Sequence, residues 1–182
     1  MSANTSPTFV ANLFRPRVLL AAIFGGCLGL LVFGLYLQHM KGIEPCPMCI
    51  LQRYAFLAAG LIALVGALHG PRRTDLRIYS TLVALTALAG GGVAARQTWL
   101  IHNPPAIADC GPGLEYMVDE FPLGEALPMI FRGSGDCASV TWTWLGLSIP
   151  EWALVAFTGI VIATGIALVT SAREPARGDL GS

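Results

Sequence analysis

The chain has 182 residues, of which 54% are hydrophobic and only 12% are charged, and its mean hydropathy is +0.65. Ordinary soluble domains carry about 25% charged residues, so this composition is typical of a membrane protein. The 11 Lys and Arg residues balance the 11 Asp and Glu residues, and the lack of a basic excess argues against nucleic-acid binding.

Four apolar segments are long enough to cross a bilayer as helices, which requires roughly 20 residues. They cover about residues 18–37, 50–68, 78–95 and 152–169. A transmembrane β-barrel would show shorter segments of alternating polarity. The sequence therefore predicts an all-α membrane protein, with one membrane domain over residues 1–182 folded as an antiparallel four-helix transmembrane bundle. Glycines in the first and third segments are expected to allow close helix contact: Gly25, Gly26, Gly29, Gly90, Gly91 and Gly92.

The basic residues predict the orientation of these spans. Seven arginines flank the segments on one side: Arg15, Arg17, Arg72, Arg73, Arg77, Arg173 and Arg177. Four basic residues lie on the other: Lys41, Arg53, Arg96 and Arg132. Because basic residues accumulate on the cytoplasmic side, both termini are expected to be cytoplasmic. Two loops, 38–49 and 97–151, are then expected on the opposite side.

Four of the five cysteines fall on this opposite side, whereas Cys27 lies inside the first span. Thiols that face an oxidising compartment form disulfides, so Cys46 with Cys49 and Cys110 with Cys137 are the natural pairs. Four cysteines allow three connectivities, however, and the sequence does not choose between them.

The motif Cys46-Pro47-Met48-Cys49 lies where the second span begins. The N–H groups and the macrodipole at a helix N-terminus favour a thiolate, and a proline suits the first helical turn. A ring closed by a two-residue loop adds little stability to a fold. The position therefore indicates a redox role rather than a structural one.

Arg53 is the only charged residue inside the four apolar segments and follows Cys49 by four positions. On a helix the two side chains share a face, so the guanidinium could stabilise a thiolate and donate hydrogen bonds to a quinone carbonyl. The alternative is that Arg53 extends to lipid phosphates at the membrane boundary.

Zinc is the main alternative for four cysteines. The spacing of Cys110 and Cys137 does not repeat the short motif, and disulfide formation would compete with metal binding. No metal site is predicted.

The segments around these cysteines resemble the DsbB family of disulfide bond formation proteins. The resemblance rests on CPMCILQR at 46–53, CGPGL at 110–114, GSGDC at 133–137 and LGLSIP at 145–150. The family belongs to the bacterial inner membrane and, with DsbA and quinone, keeps the periplasm oxidising. The two outer loops would then be periplasmic.

The resemblance implies a dithiol:quinone oxidoreductase that reoxidises a periplasmic DsbA-like partner with a thioredoxin fold. Electrons would pass from Cys110 and Cys137 to Cys46 and Cys49, and then to ubiquinone or menaquinone in the membrane. The partner would attack Cys110, and Cys137 would pass the electrons to Cys46.

The resemblance also implies a quinone pocket. Arg53 matches the family's quinone-site arginine, and Arg96 and Gln97, at the outer end of the third span, are expected to contribute. Two other functions are open: a scaffold whose disulfides are inert, and a carrier that passes electrons outward to reductases.

Overall fold

A computed structural model describes residues 16–42, 45–69, 73–104 and 142–173, together with Pro122 and Pro128. Four helices account for most of these residues: α1 (Pro16–Lys41), α2 (Pro47–His69), α3 (Arg73–His102) and α4 (Ile149–Arg173). Each is long and apolar enough to cross a membrane. The predicted all-α four-helix membrane bundle is therefore confirmed.

The helices extend beyond the predicted apolar spans. The structure is helical in three stretches that were expected to be loops: residues 38–41, 47–49 and 97–102. The hydropathy pattern marks the residues that cross the hydrocarbon layer of the bilayer. A helix can continue beyond them into the membrane interface, where polar side chains are tolerated. The thiol motif and Gln97 therefore lie on helices, whose geometry is more regular than that of loops.

The helices pack mainly with their neighbours in the chain. The pairs α1–α2, α2–α3 and α3–α4 contact one another along their lengths, whereas α1 and α4 make few contacts. Phe56 of α2 and Phe157 of α4 stack across the centre, with ring centroids 3.9 Å apart and an interplanar angle of 6°. The described helices thus form an open arc around a main apolar core, and a second, smaller cluster of buried residues includes Cys46 and Met48.

Gly90 on α3 allows the closest approach in this core. A Cβ atom at this position would overlap the Phe157 ring and lie 2.7 Å from the Cβ of Ala55. A Cβ atom added at Gly91 would lie 3.4 Å from the Cβ of Phe157, which is an ordinary contact. At the other four glycines, Gly25, Gly26, Gly29 and Gly92, an added Cβ would meet none of the described residues within 4 Å, so the expected close contact is not found there. A small residue matters only on a helix face that meets a neighbouring helix.

A β-hairpin precedes α4 and consists of β1 (Thr143–Trp144) and β2 (Leu147–Ser148). Its two-residue turn has positive φ at both central positions, 52° at Leu145 and 81° at Gly146. This combination is typical of a type I′ turn, which matches the twist of the flanking strands.

The hairpin leads directly into the start of α4. The backbone N–H and the hydroxyl of Ser148 donate to Oε2 of Glu151 at 2.6 and 2.7 Å, an arrangement related to the capping box. The indole of Trp152 donates to the carbonyl of Trp144 at 3.0 Å. These hydrogen bonds fix the hairpin to the outer end of the helix.

Candidate functional site: the cysteine pair at the start of the second helix

Cys46 is the N-cap residue of α2. The N–H of Ile50 donates to the carbonyl of Cys46 at 3.1 Å, and Pro47 occupies the first helical position as the sequence predicted. The backbone N–H of Cys49 lies 3.4 Å from Sγ of Cys46. The sulfur thus takes the place of the oxygen that usually caps a helix, where negative charge is favoured.

The sulfurs of Cys46 and Cys49 lie 3.1 Å apart. Cys46 is buried, whereas Cys49 is partly exposed. A disulfide bond is about 2.05 Å long, so these sulfurs need to approach by only about 1 Å to form one. The geometry therefore suits reversible closing and opening of the bond.

Gln97 connects α3 to both sulfurs and is only 3% exposed. Its Nε2 lies 3.2 Å from Sγ of Cys46 and 3.3 Å from Sγ of Cys49. Its Oε1 accepts a hydrogen bond of 2.8 Å from Nε2 of Gln52, which is buried on α2. Among the described residues, Gln97 contacts both sulfurs. Its expected contribution to a quinone pocket stays a prediction.

Sequence reasoning missed Gln52. The available signal was a glutamine inside an apolar span, three positions after Cys49 and hence on the same helix face. A polar side chain in a membrane span needs a partner, because its hydrogen-bonding groups have no water to bind.

Arg53 extends from α2 towards α1. Its Nη1 donates to Oε1 of Gln38 at 2.6 Å, and its Nη2 donates to the carbonyl of Gly34 at 3.2 Å. These protein acceptors weigh against a side chain that extends only to lipid phosphates. A guanidinium carries five N–H donors, so donors remain for a further acceptor.

Arg96 lies over the ring of Trp99 on α3, with its guanidinium carbon 4.7 Å from the ring centroid. Neighbouring residues on a helix point about 100° apart, so Arg96 and Gln97 face different directions. A role for Arg96 at the site stays a prediction. Cys110 and Cys137 lie outside the described residues, and their roles stay predictions as well.

The chain is similar to known disulfide bond formation proteins over most of its length. The family model "Disulfide bond formation protein DsbB" matches residues 16–167. Disulfide bond formation protein B of Azoarcus sp. (strain BH72) is 63% identical over 141 residues, which cover 78% of this chain and 85% of the relative.

Two further relatives carry the same name. That of Aromatoleum aromaticum is 58% identical over 149 residues, covering 82% of this chain and 90% of the relative. That of Hahella chejuensis is 46% identical over 168 residues, covering 92% of this chain and 99% of the relative. The family model and these relatives show that the chain belongs to the DsbB family of disulfide bond formation proteins.

Proposed function

We propose that this protein is a dithiol:quinone oxidoreductase of the bacterial inner membrane, folded as one membrane domain over residues 1–182. It reoxidises a periplasmic DsbA-like partner and thereby supports disulfide formation in other proteins. The observation that carries the proposal is the cysteine pair itself: two sulfurs 3.1 Å apart at the end of a membrane helix, within reach of hydrogen-bond donors. Both termini lie in the cytoplasm, and the cysteine-bearing end faces the periplasm.

The first exchange takes place at the Cys110–Cys137 disulfide. A thiolate of the reduced partner bonds to Sγ of Cys110, and the electron pair of the broken bond moves to Cys137. The partner's second thiolate then attacks the mixed disulfide, so the partner leaves oxidised and Cys110 and Cys137 are left reduced.

The second exchange brings the electrons to the membrane helix. The thiolate of Cys137 bonds to Sγ of Cys46, the Cys46–Cys49 bond breaks, and the electron pair stays on Sγ of Cys49. The thiolate of Cys110 then attacks Sγ of Cys137, which re-forms the Cys110–Cys137 bond and releases Cys46 as a thiolate. The helix start and the amide of Gln97 both favour negative charge on this pair of sulfurs. Cys46 is therefore the acceptor of the exchange and Cys49 the donor of the next step.

The residues near Cys49 fit a quinone. Arg53 is fixed by α1 and retains donors for a quinone carbonyl, and its side chain follows Cys49 by one helical turn. A bound ubiquinone or menaquinone would take up two electrons and two protons. Arg53 would orient its ring, and the membrane position of α2 would give this lipid-soluble acceptor access to the site.

An anaerobic assay with a short-chain quinone and a reduced thioredoxin-fold dithiol protein tests the proposal. Absorbance follows quinone reduction by the wild type and by Cys49→Ser, Cys110→Ser and Cys27→Ser. We expect the wild type and Cys27→Ser to form quinol, because Cys27 is buried in the apolar core, away from the cysteine pair. Cys49→Ser and Cys110→Ser should form no quinol above background, because each removes a thiol that the relay requires.

Two results would contradict the proposal. A wild type that is inactive with several quinones and partners, with its disulfides intact, would indicate a scaffold with inert bridges. Net electron flow from quinol to an oxidised partner would indicate a carrier that works in the opposite direction.

A further inference from the structure

The amide of Gln97 has one hydrogen-bond donor for each sulfur of the pair. Its Nε2 carries two N–H groups and lies at nearly equal distances, 3.2 and 3.3 Å, from Sγ of Cys46 and Sγ of Cys49. The carbonyl oxygen of the same amide is farther from Cys49, at 3.6 Å. The amide nitrogen therefore lies closer to the sulfurs than the oxygen does, and the oxygen can accept a hydrogen bond from Cys49 only while Cys49 carries its proton.

Gln52 fixes this orientation. Its Nε2 donates to Oε1 of Gln97 at 2.8 Å, and both side chains are buried, with exposures of 4% and 3%. An amide turned by 180° would place the nitrogen of Gln97 against the donor of Gln52 and its oxygen against the sulfurs. A buried donor without an acceptor costs about 1–3 kcal/mol, so the observed orientation is favoured.

The backbone at the start of α2 provides a donor to the sulfur of Cys46. The N–H group at the start of α2 lies 3.4 Å from the sulfur of Cys46, the residue that the incoming thiolate attacks. The sulfur of Cys49 must accept the electron pair when the bond between the cysteines breaks. Gln97 provides this departing sulfur with a donor from another helix.

We propose that Gln97 is a catalytic residue that stabilises the thiolate of Cys49, and that Gln52 is a positioning residue that keeps the amide nitrogen of Gln97 turned towards the sulfurs. This inference rests on the proposed thiol relay. As the incoming sulfur bonds to Cys46, the bond to Cys49 breaks and its electron pair stays on Cys49. No proton is needed at that moment, because the amide N–H group donates to the new thiolate, and a better stabilised thiolate leaves faster.

The test measures the thiolate directly, without quinone or partner. In the reduced full-length protein carrying Cys27→Ser, Cys110→Ser and Cys137→Ser, mass spectrometry follows the rate at which iodoacetamide alkylates Cys49 across a range of pH. Only the thiolate reacts, so the rate at pH 7 reports its fraction. Gln97→Met removes the donor at similar length, and Gln52→Met removes the group that orients it.

We expect Gln97→Met to lower the alkylation rate at pH 7 about tenfold, the effect of one hydrogen bond to a charged group. The rate at high pH, where every thiol is ionised, should stay unchanged and thereby show that access to the sulfur is intact. Thr98→Val is the matched control, because this neighbouring hydroxyl is buried and has no hydrogen-bond partner among the described residues. It should leave the profile unchanged.

If Gln52 acts by orienting Gln97, the effect of Gln52→Met must depend on the presence of Gln97. Gln52→Met should lower the rate at pH 7 when Gln97 is present and should have no further effect when Gln97 is already Met. Equal effects in both backgrounds would overturn the positioning role, and an unchanged profile in Gln97→Met would overturn the catalytic role. If the wild type forms quinol but Gln97→Met leaves the pH profile of alkylation unchanged, this inference fails alone. If Gln97→Met changes the pH profile but the wild type forms no quinol, the thiolate stabilisation stands and the proposed relay fails.

Discussion

At the scale of single residues, two buried glutamines satisfy part of each other's need for hydrogen bonds. Gln52 and Gln97 lie in membrane-spanning helices, where an unsatisfied amide is costly, and each supplies part of what the other needs. Their pairing also presents an N–H donor to the cysteine sulfurs. A structural need for hydrogen bonding and a chemical need for charge stabilisation are thus met by the same contact.

The packing at Gly90 gives a prediction at this scale. We expect Gly90→Ala to lower the free energy of unfolding by about 1–3 kcal/mol, because the added methyl group would overlap Phe157 and press on Ala55. Thermal unfolding in detergent, followed by circular dichroism, measures the change. Gly92→Ala is the matched control, since its Cβ would meet nothing within 4 Å and it should be tolerated. Equal losses in both variants would contradict this account of the packing.

Residue-level prediction from sequence succeeded where the signal was local. The C-x-x-C spacing and Pro47 placed the thiol pair at a helix start, and the structure has Cys46 as its N-cap. The contact between Gln52 and Gln97 spans 45 positions and depends on how α2 and α3 are rotated against each other. No local pattern encodes that rotation, which explains why the contact between Gln52 and Gln97 was not predicted.

At the scale of elements, hydropathy located the four helices but placed their ends too early. The apolar run of α3 stops near residue 95, whereas the helix continues to His102 and carries Gln97 to the sulfurs. The hairpin before α4 was not predicted, because its strands contain two residues each and leave almost no periodic pattern. Its turn nevertheless requires positive φ at two positions, and this backbone conformation costs free energy at the one that is not glycine.

That cost lies at Leu145, which is 75% exposed and has φ of 52°. A left-handed conformation costs an ordinary L-residue roughly 1–2 kcal/mol, and asparagine adopts it more readily. We therefore expect Leu145→Asn to raise the free energy of unfolding by about 0.5–1 kcal/mol, measured by thermal unfolding. Gly146→Ala, which adds a Cβ where φ is 81°, should have the opposite sign. A Leu145→Asn variant that is less stable than the wild type would show that Leu145 makes a compensating contact.

At the scale of the whole molecule, the proposed orientation makes a prediction about labelling. Met40 and Leu68 are 70% and 76% exposed and lie near opposite ends of the bundle, at the ends of α1 and α2. In a chain whose five cysteines are replaced by serine, Met40→Cys should react with a membrane-impermeant maleimide in cells whose outer membrane alone is permeabilised. Leu68→Cys should react only after the inner membrane is opened. The reverse pattern would invert the topology.

The open arc of helices also bears on how the protein is made. Each helix packs chiefly on the one before it, so an emerging helix finds its main partner already in the membrane, and assembly can follow the order of synthesis. The first two helices already contain the cysteine pair, Arg53 and both acceptors that fix Arg53. The amide of Gln97 arrives only with α3. During biogenesis the cysteine pair is thus present before the side-chain donor of Gln97, which insertion of the third helix supplies.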